Sequence, residues 1–265
     1  MLKRFAVPNF VTLLFLSIDT AVVTFAIGDA LHLSRPIVRH FHENGIITRL
    51  SFLQLLVASV IAWITFYVRA GKFSFKNWRS PSTFWLIVAI GFAFLAIDEG
   101  FEVHETLMQG AIFTAFNLKR NFLTVRINDL IMLLYGLVGV GLVWLYWAEI
   151  RRDRRMLRHM VIGFVLLFVM VLVDTLGNRR EIPFLASLFP TATNTNLRWT
   201  LKVIEETITL YSEAFFIGAF WAAWQSARSA KVFLHQCTVN PLPTPARSSD
   251  SSQAARIEPT DRGLA

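Results

Sequence analysis

Unbroken apolar runs, several near the ~20 residues that a helix needs to cross a bilayer, constrain this chain more than any other feature of it. The stretch FVTLLFLSIDTAVVTFAIG, residues 10–28, is one of them. The apolar residues do not fall into the short periodic segments of a soluble fold. In hydrocarbon, every backbone N–H and C=O must be satisfied within the protein, so runs of this kind fold as helices. Charged residues make up 17% of the chain, against roughly 25% in an average soluble domain. A soluble globular enzyme, a disordered chain and a secreted disulfide scaffold are thereby excluded. The single cysteine, Cys237, cannot form an internal disulfide or a Cys-rich metal motif.

Six apolar segments are read, at about 8–28, 50–69, 83–101, 128–148, 159–176 and 200–224. The first follows Lys3 and Arg4 but runs longer than the 7–15-residue core of a signal peptide. It also contains Asp19, so it reads as an uncleaved helix with Asn9 as its N-cap. From about residue 232 the chain turns polar, and PLPTPARSSDSSQ at 241–253 carries three prolines and four serines with no apolar period. The expected fold is all-α and integral to the membrane. Residues 1–231 form a bundle of six transmembrane helices with both termini cytoplasmic, and 232–265 form a disordered cytoplasmic tail.

Basic residues set the orientation. With the N-terminus inside, 16 of the 26 lysines and arginines lie on the cytoplasmic side, including the dense RRDRR run at 151–155 and Arg158. Seven of the eight tryptophans fall near the inner ends of the segments, where an interfacial aromatic belt sits. The net charge of +8 therefore describes a cytoplasmic face toward anionic lipid headgroups. It does not describe a nucleic-acid groove, since no basic stripe with interleaved aromatics occurs on a soluble segment. This places the chain in a bacterial-type inner membrane, with the bilayer as its partner.

The most informative polar stretch is AIDEGFEVHE, residues 96–105. At about 100° per residue, Glu102 and Glu105 fall within about 40° of Asp98, so three carboxylates share one face. Glu99 lies at the flank and His104 is turned away. Like charges at this spacing repel, and protons, a cation or basic groups from other helices must offset them. The segment at 200–224 adds Glu205, Glu206 and Glu213, and the first segment holds Asp19 near mid-membrane, close to Ser17. Acids at such depth face the bundle interior or a water cavity.

The function these residues point to first is a metal-dependent membrane enzyme acting on a lipid or lipid-linked substrate. Asp98, Glu102, Glu206 and Glu213 would hold a divalent cation, whose hard character suits oxygen ligands. Glu99 or His104 would shuttle the proton of a metal-activated water. The alternatives are a proton- or cation-coupled carrier using the same acids, and a non-catalytic assembly or structural subunit whose acids pair with bases. Lys202, four before Glu206, and Arg126, three before Asp129, have the spacing of such ordinary pairs. Haem-binding bundles need paired intramembrane histidines and thiol–disulfide membrane enzymes need cysteine pairs; the sequence has neither.

The charge distribution makes a direct prediction. Topology reporters fused after Ser80 and Arg155 report the cytoplasm, and those after Gly45 and Asn194 report the outside. An outside signal at Arg155 would overturn the orientation, because the surrounding arginines resist translocation.

Overall fold

The computed structural model describes residues 9–32, 40–41, 45–70, 79–101, 103, 127–177 and 194–239. Their regular structure is helical throughout. Seven helices are found among them: α1 Phe10–His32, α2 Ile46–Ala70, α3 Pro81–Phe101, α4 Ile127–Leu145, α5 Trp147–Ile150, α6 Arg154–Gly177 and α7 Asn194–Val239.

Local chemistry sets several of the boundaries. Asn9 caps α1 as its sequence position suggests: its Oδ1 accepts from the backbone N–H and the hydroxyl of Thr12, both at 2.8 Å. Ser80 accepts from the Thr83 N–H at 3.3 Å and is followed by Pro81, whose fixed φ and missing N–H suit the first helical position. Within RRDRR, Asp153 begins α6 by accepting from the Arg155 N–H at 2.8 Å. The aspartate inside a run read as a topology signal is thus a helix cap.

Among the described residues, four helices are long and apolar enough to cross a membrane: α1, Ile46–Arg69 of α2, α3, and Arg154–Leu176 of α6. The other two expected spans differ for identifiable reasons. The segment at 128–148 is broken at Tyr146, which leaves the helical region (φ −107°, ψ 28°), and the apolar helix found among the described residues is Leu133–Leu145. The segment at 200–224 lies within α7, a 46-residue helix carrying Lys202, Glu205, Glu206 and Glu213. Its middle is buried in protein, with Leu210, Ala214, Ile217, Ala219, Phe220, Ala222 and Ala223 all covered. A helix surrounded by other helices does not need a lipid-compatible surface on every side, and this one is accordingly the most polar.

Around the buried stretch of α7 runs an aromatic chain. Trp85 meets Phe220 at 5.7 Å, Phe92 meets Phe220 at 4.9 Å and Phe216 at 5.6 Å, and Phe164 meets Phe216 at 5.0 Å. All four are edge-to-face, the arrangement favoured by the ring quadrupoles. They join α3 and α6 through α7. Phe84 extends the chain to Tyr146 at 5.3 Å, which packs the broken end of α4 against the same core.

The first turn of α1 also docks on α7. The Asn9 side-chain amide donates to the Gly218 carbonyl at 2.8 Å. The His159 ring bonds on both sides, with Nδ1–H donating to the Arg155 carbonyl at 2.8 Å and Nε2 accepting the Asn9 N–H at 3.4 Å. Gly218 is required here, since a Cβ would lie 1.8 Å from Thr12 Oγ1. Small residues at such crossings let helix backbones approach closely.

The chain divides into two compact units, residues 1–228 and 229–265. In the second unit the described residues are helical to Val239, past the boundary at 231 expected from composition, with Ser229–Val232 exposed. The remainder of the expected tail lies outside the described residues.

Gly218→Ala tests the crossing. The new methyl collides with a short, hydrogen-bonded hydroxyl that cannot swing away, so α1 must shift. The expected loss of stability is about 1–3 kcal/mol, read as a lowered unfolding midpoint of the purified protein in detergent.

Candidate functional site

Near the Ile46 end of α2, Ser51 and Gln54 stand three residues apart and so share one face. Each donates to a carboxyl group on a different helix. The Gln54 amide donates to Asp19 Oδ1 on α1, and the Ser51 hydroxyl donates to Glu213 Oε1 on α7 at 2.6 Å. All four residues are buried: Asp19 is 0% exposed, Ser51 1%, Gln54 1% and Glu213 6%. Asp19 Oδ2, Gln54 Oε1 and Glu213 Oε2 have no hydrogen-bond partner. None of the ion pairs among the described residues includes Asp19 or Glu213.

Apolar packing closes the layer on both sides. One helical turn toward the His32 end of α1 lie Val23, Ala26, Phe41, Ile47 and Leu210. Phe41 is only 2% exposed. Its neighbour His40 contacts Asp29 of α1, Nε2 to Oδ2, at 2.8 Å. Toward the Asn9 end lie Ala58, Ile61, Phe216, Ile217 and Phe220. The three helices α1, α2 and α7 thus enclose a thin polar slab between two apolar ones.

The expected residues distribute around this slab. Glu213 belongs to it and lies within electrostatic reach of Glu99, Asp19 and Glu206. Asp98 is buried on α3, within electrostatic reach of Tyr135 on α4. Glu99 is half-buried. Glu206 is held by Lys202 at 2.8 Å, and the same ammonium holds Glu205 at 2.8 Å. The ordinary pairing anticipated for Lys202 and Glu206 is therefore present. Glu102 and His104 lie outside the described residues. Among the described residues no three His, Cys, Asp or Glu side chains form a group able to hold a metal ion. The described members of the expected metal set, Asp98, Glu206 and Glu213, thus do not form one. Lys202 already pairs with Glu206, and Asp98 lies within electrostatic reach of Tyr135.

Sequence reasoning placed Asp19 beside Ser17, but the Ser17 hydroxyl donates back to the Leu13 carbonyl at 2.8 Å. The partner is Gln54. Neither Gln54 nor Ser51 was singled out, although two polar residues three apart near the start of an apolar run are the signal for an inward-facing site.

A second polar node lies toward the Asn9 end. Arg69 pairs with Glu149 at 2.7 Å, and the Trp85 indole N–H donates to the same Glu149 oxygen at 3.2 Å. Arg69 and Glu149 lie at the ends of apolar segments, on the side read as cytoplasmic. Glu149 and Trp85 are in fact buried, and the node ties α2 and α3 to the turn after α4.

Residues 9–195 match the family described as Domain of unknown function (DUF8692). The chain belongs to this family. The matched range takes in Asp19, Ser51 and Gln54 of the polar slab and Arg69, Trp85 and Glu149 of the node; Glu213 lies beyond it. No curated protein and no solved structure matches the chain.

The two nodes differ in what a substitution does. Glu149→Ala leaves Arg69 as an unpaired charge in a covered position and removes the acceptor of Trp85. The expected cost is about 3–5 kcal/mol, seen in denaturant or thermal unfolding of the purified protein. Lys202→Ala breaks a partly exposed pair and is expected to cost only about 0–1 kcal/mol. Equal effects of the two would show that the Arg69–Glu149 pair is not desolvated.

Proposed function

We propose that this chain is a membrane carrier coupled to a proton or another cation, and that its coupling site is the slab formed by Asp19, Ser51, Gln54 and Glu213. One observation supports this reading over the others. Two buried carboxyl groups on different helices are held by neutral donors, a carboxamide and a hydroxyl, and by no lysine or arginine among the described residues. A carboxylate fixed by a buried cation cannot change its charge without stranding its partner. A carboxylate fixed by an amide or hydroxyl can. Binding and release of an ion therefore require no other buried charge to move. Intramembrane acids of this kind mark ion pathways and proton relays.

The reading has a mechanism in the packing. The slab joins α1, α2 and α7 through two side-chain hydrogen bonds. The apolar layers on either side separate it from both membrane faces. A carrier binds its ion in such an enclosed position, then opens one layer or the other as the helices shift. Phe41, fixed between α1, α2 and α7 beside the His40–Asp29 pair, blocks one side, and the Phe216–Phe220 aromatics block the other. Within this proposal the chain crosses a bacterial-type inner membrane six times with both termini in the cytoplasm, α4 and α7 completing the set. The exposed Arg151, Arg152, Arg154 and Arg155 then face anionic lipid headgroups. The metal-dependent enzyme draws on Glu102 and His104, and the described geometry lends it no comparable support.

The test uses inside-out vesicles carrying the overproduced protein and a pH-sensitive dye. An imposed proton gradient is challenged with cation chlorides and then with classes of small solutes. A solute that collapses the gradient with wild type is expected to have no effect with Asp19→Asn or Glu213→Gln, while Lys202→Ala keeps most of the response. Identical responses from wild type and the Asp19→Asn, Glu213→Gln double variant to every solute would end the carrier reading.

A further inference from the structure

We infer that the ion taken up by the slab is a proton, bound at Asp19 Oδ2 and shared with Gln54 Oε1. This deepens the ion-coupled reading above and rests on it. The argument is a count of donors and acceptors. An ionised carboxylate can only accept hydrogen bonds, whereas a glutamine side chain has one accepting oxygen and an NH₂ that donates. Gln54 uses its NH₂ on Asp19 Oδ1. The other half of each group is then an acceptor, and both, Asp19 Oδ2 and Gln54 Oε1, are buried without a donor. A proton on Oδ2 converts that oxygen into a donor and offers Gln54 Oε1 the partner it lacks. One added atom answers two buried acceptors, and a carboxylic acid paired with a carboxamide through two parallel hydrogen bonds results.

A hard metal cation does this less well. Calcium takes six to eight oxygens and magnesium demands near-octahedral coordination and gives up water reluctantly. The slab offers Asp19 Oδ2, Gln54 Oε1 and Glu213 Oε2 as unpartnered ligands, too few for either, and apolar layers lie above and below. The titratable groups around the acid are consistent with a site of variable charge. Glu213 on α7 lies within electrostatic reach of Asp19, and Glu99 on α3 and Glu206 on α7 lie within reach of Glu213. Tyr211 on α7 bonds through its hydroxyl to Thr20, next to Asp19, at 3.0 Å. On loading, a hydronium ion gives its proton to Asp19 Oδ2, an O–H bond forms, water leaves and the carboxyl charge goes from −1 to zero. Release is the reverse, with no change of oxidation state.

Asparagine at position 19 is the isostere of the loaded state, because its Nδ2–H₂ replaces the acid O–H toward Gln54 Oε1 while its carbonyl keeps the bond from Gln54. The experiment is infrared difference spectroscopy of the purified full-length protein in lipid across a pH series, paired with thermal unfolding in sodium, magnesium and calcium chlorides. The expected result is a carbonyl stretch of a protonated carboxylic acid that is absent in Asp19→Asn and shifted in Gln54→Leu, where the bonds to the amide are gone. Asp19→Asn is expected to unfold at or above the wild-type temperature, and none of the three cations is expected to stabilise wild type over Asp19→Asn. The inference is overturned if no such band depends on Asp19. It is also overturned if a metal chloride raises the wild-type midpoint alone, or if Asp19→Asn does not fold. These readings use no gradient and no solute. A band that depends on Asp19 without any solute-driven flux sinks the carrier reading and leaves the proton site. Flux that depends on Asp19 without the band does the opposite.

Discussion

Two hydrogen bonds from one face of α2 hold the polar interior of this protein together. Ser51 and Gln54 reach opposite neighbours, Glu213 on α7 and Asp19 on α1, and each answers a carboxyl group that would otherwise stand alone in an apolar bundle. A buried polar group without a partner costs free energy on the scale of a lost hydrogen bond or more. The placement of α1, α2 and α7 is therefore not free: sliding any one of them by a turn strands an acid. Other features follow from that register. Gly218 lies where α7 meets the first turn of α1, and the aromatics of α3 and α6 fill the space around the α7 stretch just beyond Glu213.

The slab and the Arg69–Glu149 pair show two ways of burying charge, with different consequences. In the pair, a guanidinium meets a carboxylate that a tryptophan N–H also bonds, so each charge needs the other even though Arg69 Nε has no hydrogen-bond partner. Such a contact specifies a geometry and resists change. In the slab the donors are neutral, so the acids are tied in position without being tied to a charge. One node fixes where α2, α3 and the turn after α4 meet. The other permits chemistry between α1, α2 and α7. Their separation along α2, from Ser51 and Gln54 near one end to Arg69 at the other, lets a single helix serve both.

Much of the helical architecture was legible in the sequence, because the apolar runs leave hydrocarbon no alternative to helices. The Asn9 cap could be read from the residue before the first run, and the Lys202–Glu206 pair from their spacing. What could not be read depends on partners distant in the chain. Asp153 sits among four arginines and looks like part of a charge cluster; only the chain direction after it reveals a cap. Arg69 and Glu149 lie at segment ends, where charges usually face water, and nothing local shows that they meet under a tryptophan. Asp98 and Glu213 are both intramembrane acids by sequence. Yet one lies within electrostatic reach of Tyr135 and the other meets Ser51, because the rotation of each helix is set by its neighbours. The segment at 200–224 was read as a span on length, and its charge content is explained only by its central position.

The contact between Asn9 and the Gly218 carbonyl joins residues at opposite ends of the bundle's sequence. Until α7 has been synthesised, the first turn of α1 lacks its docking surface and Asp19 shares a bilayer with helices that supply only half of the slab. Loop closure over such a separation comes late, since its entropy must be met before the contact returns anything. Helices α2 and α3, joined by the Ser59 hydroxyl on the Ala89 carbonyl, can pair as they are made, whereas the docking of α1 has to wait for the helix that carries Glu213 and Gly218.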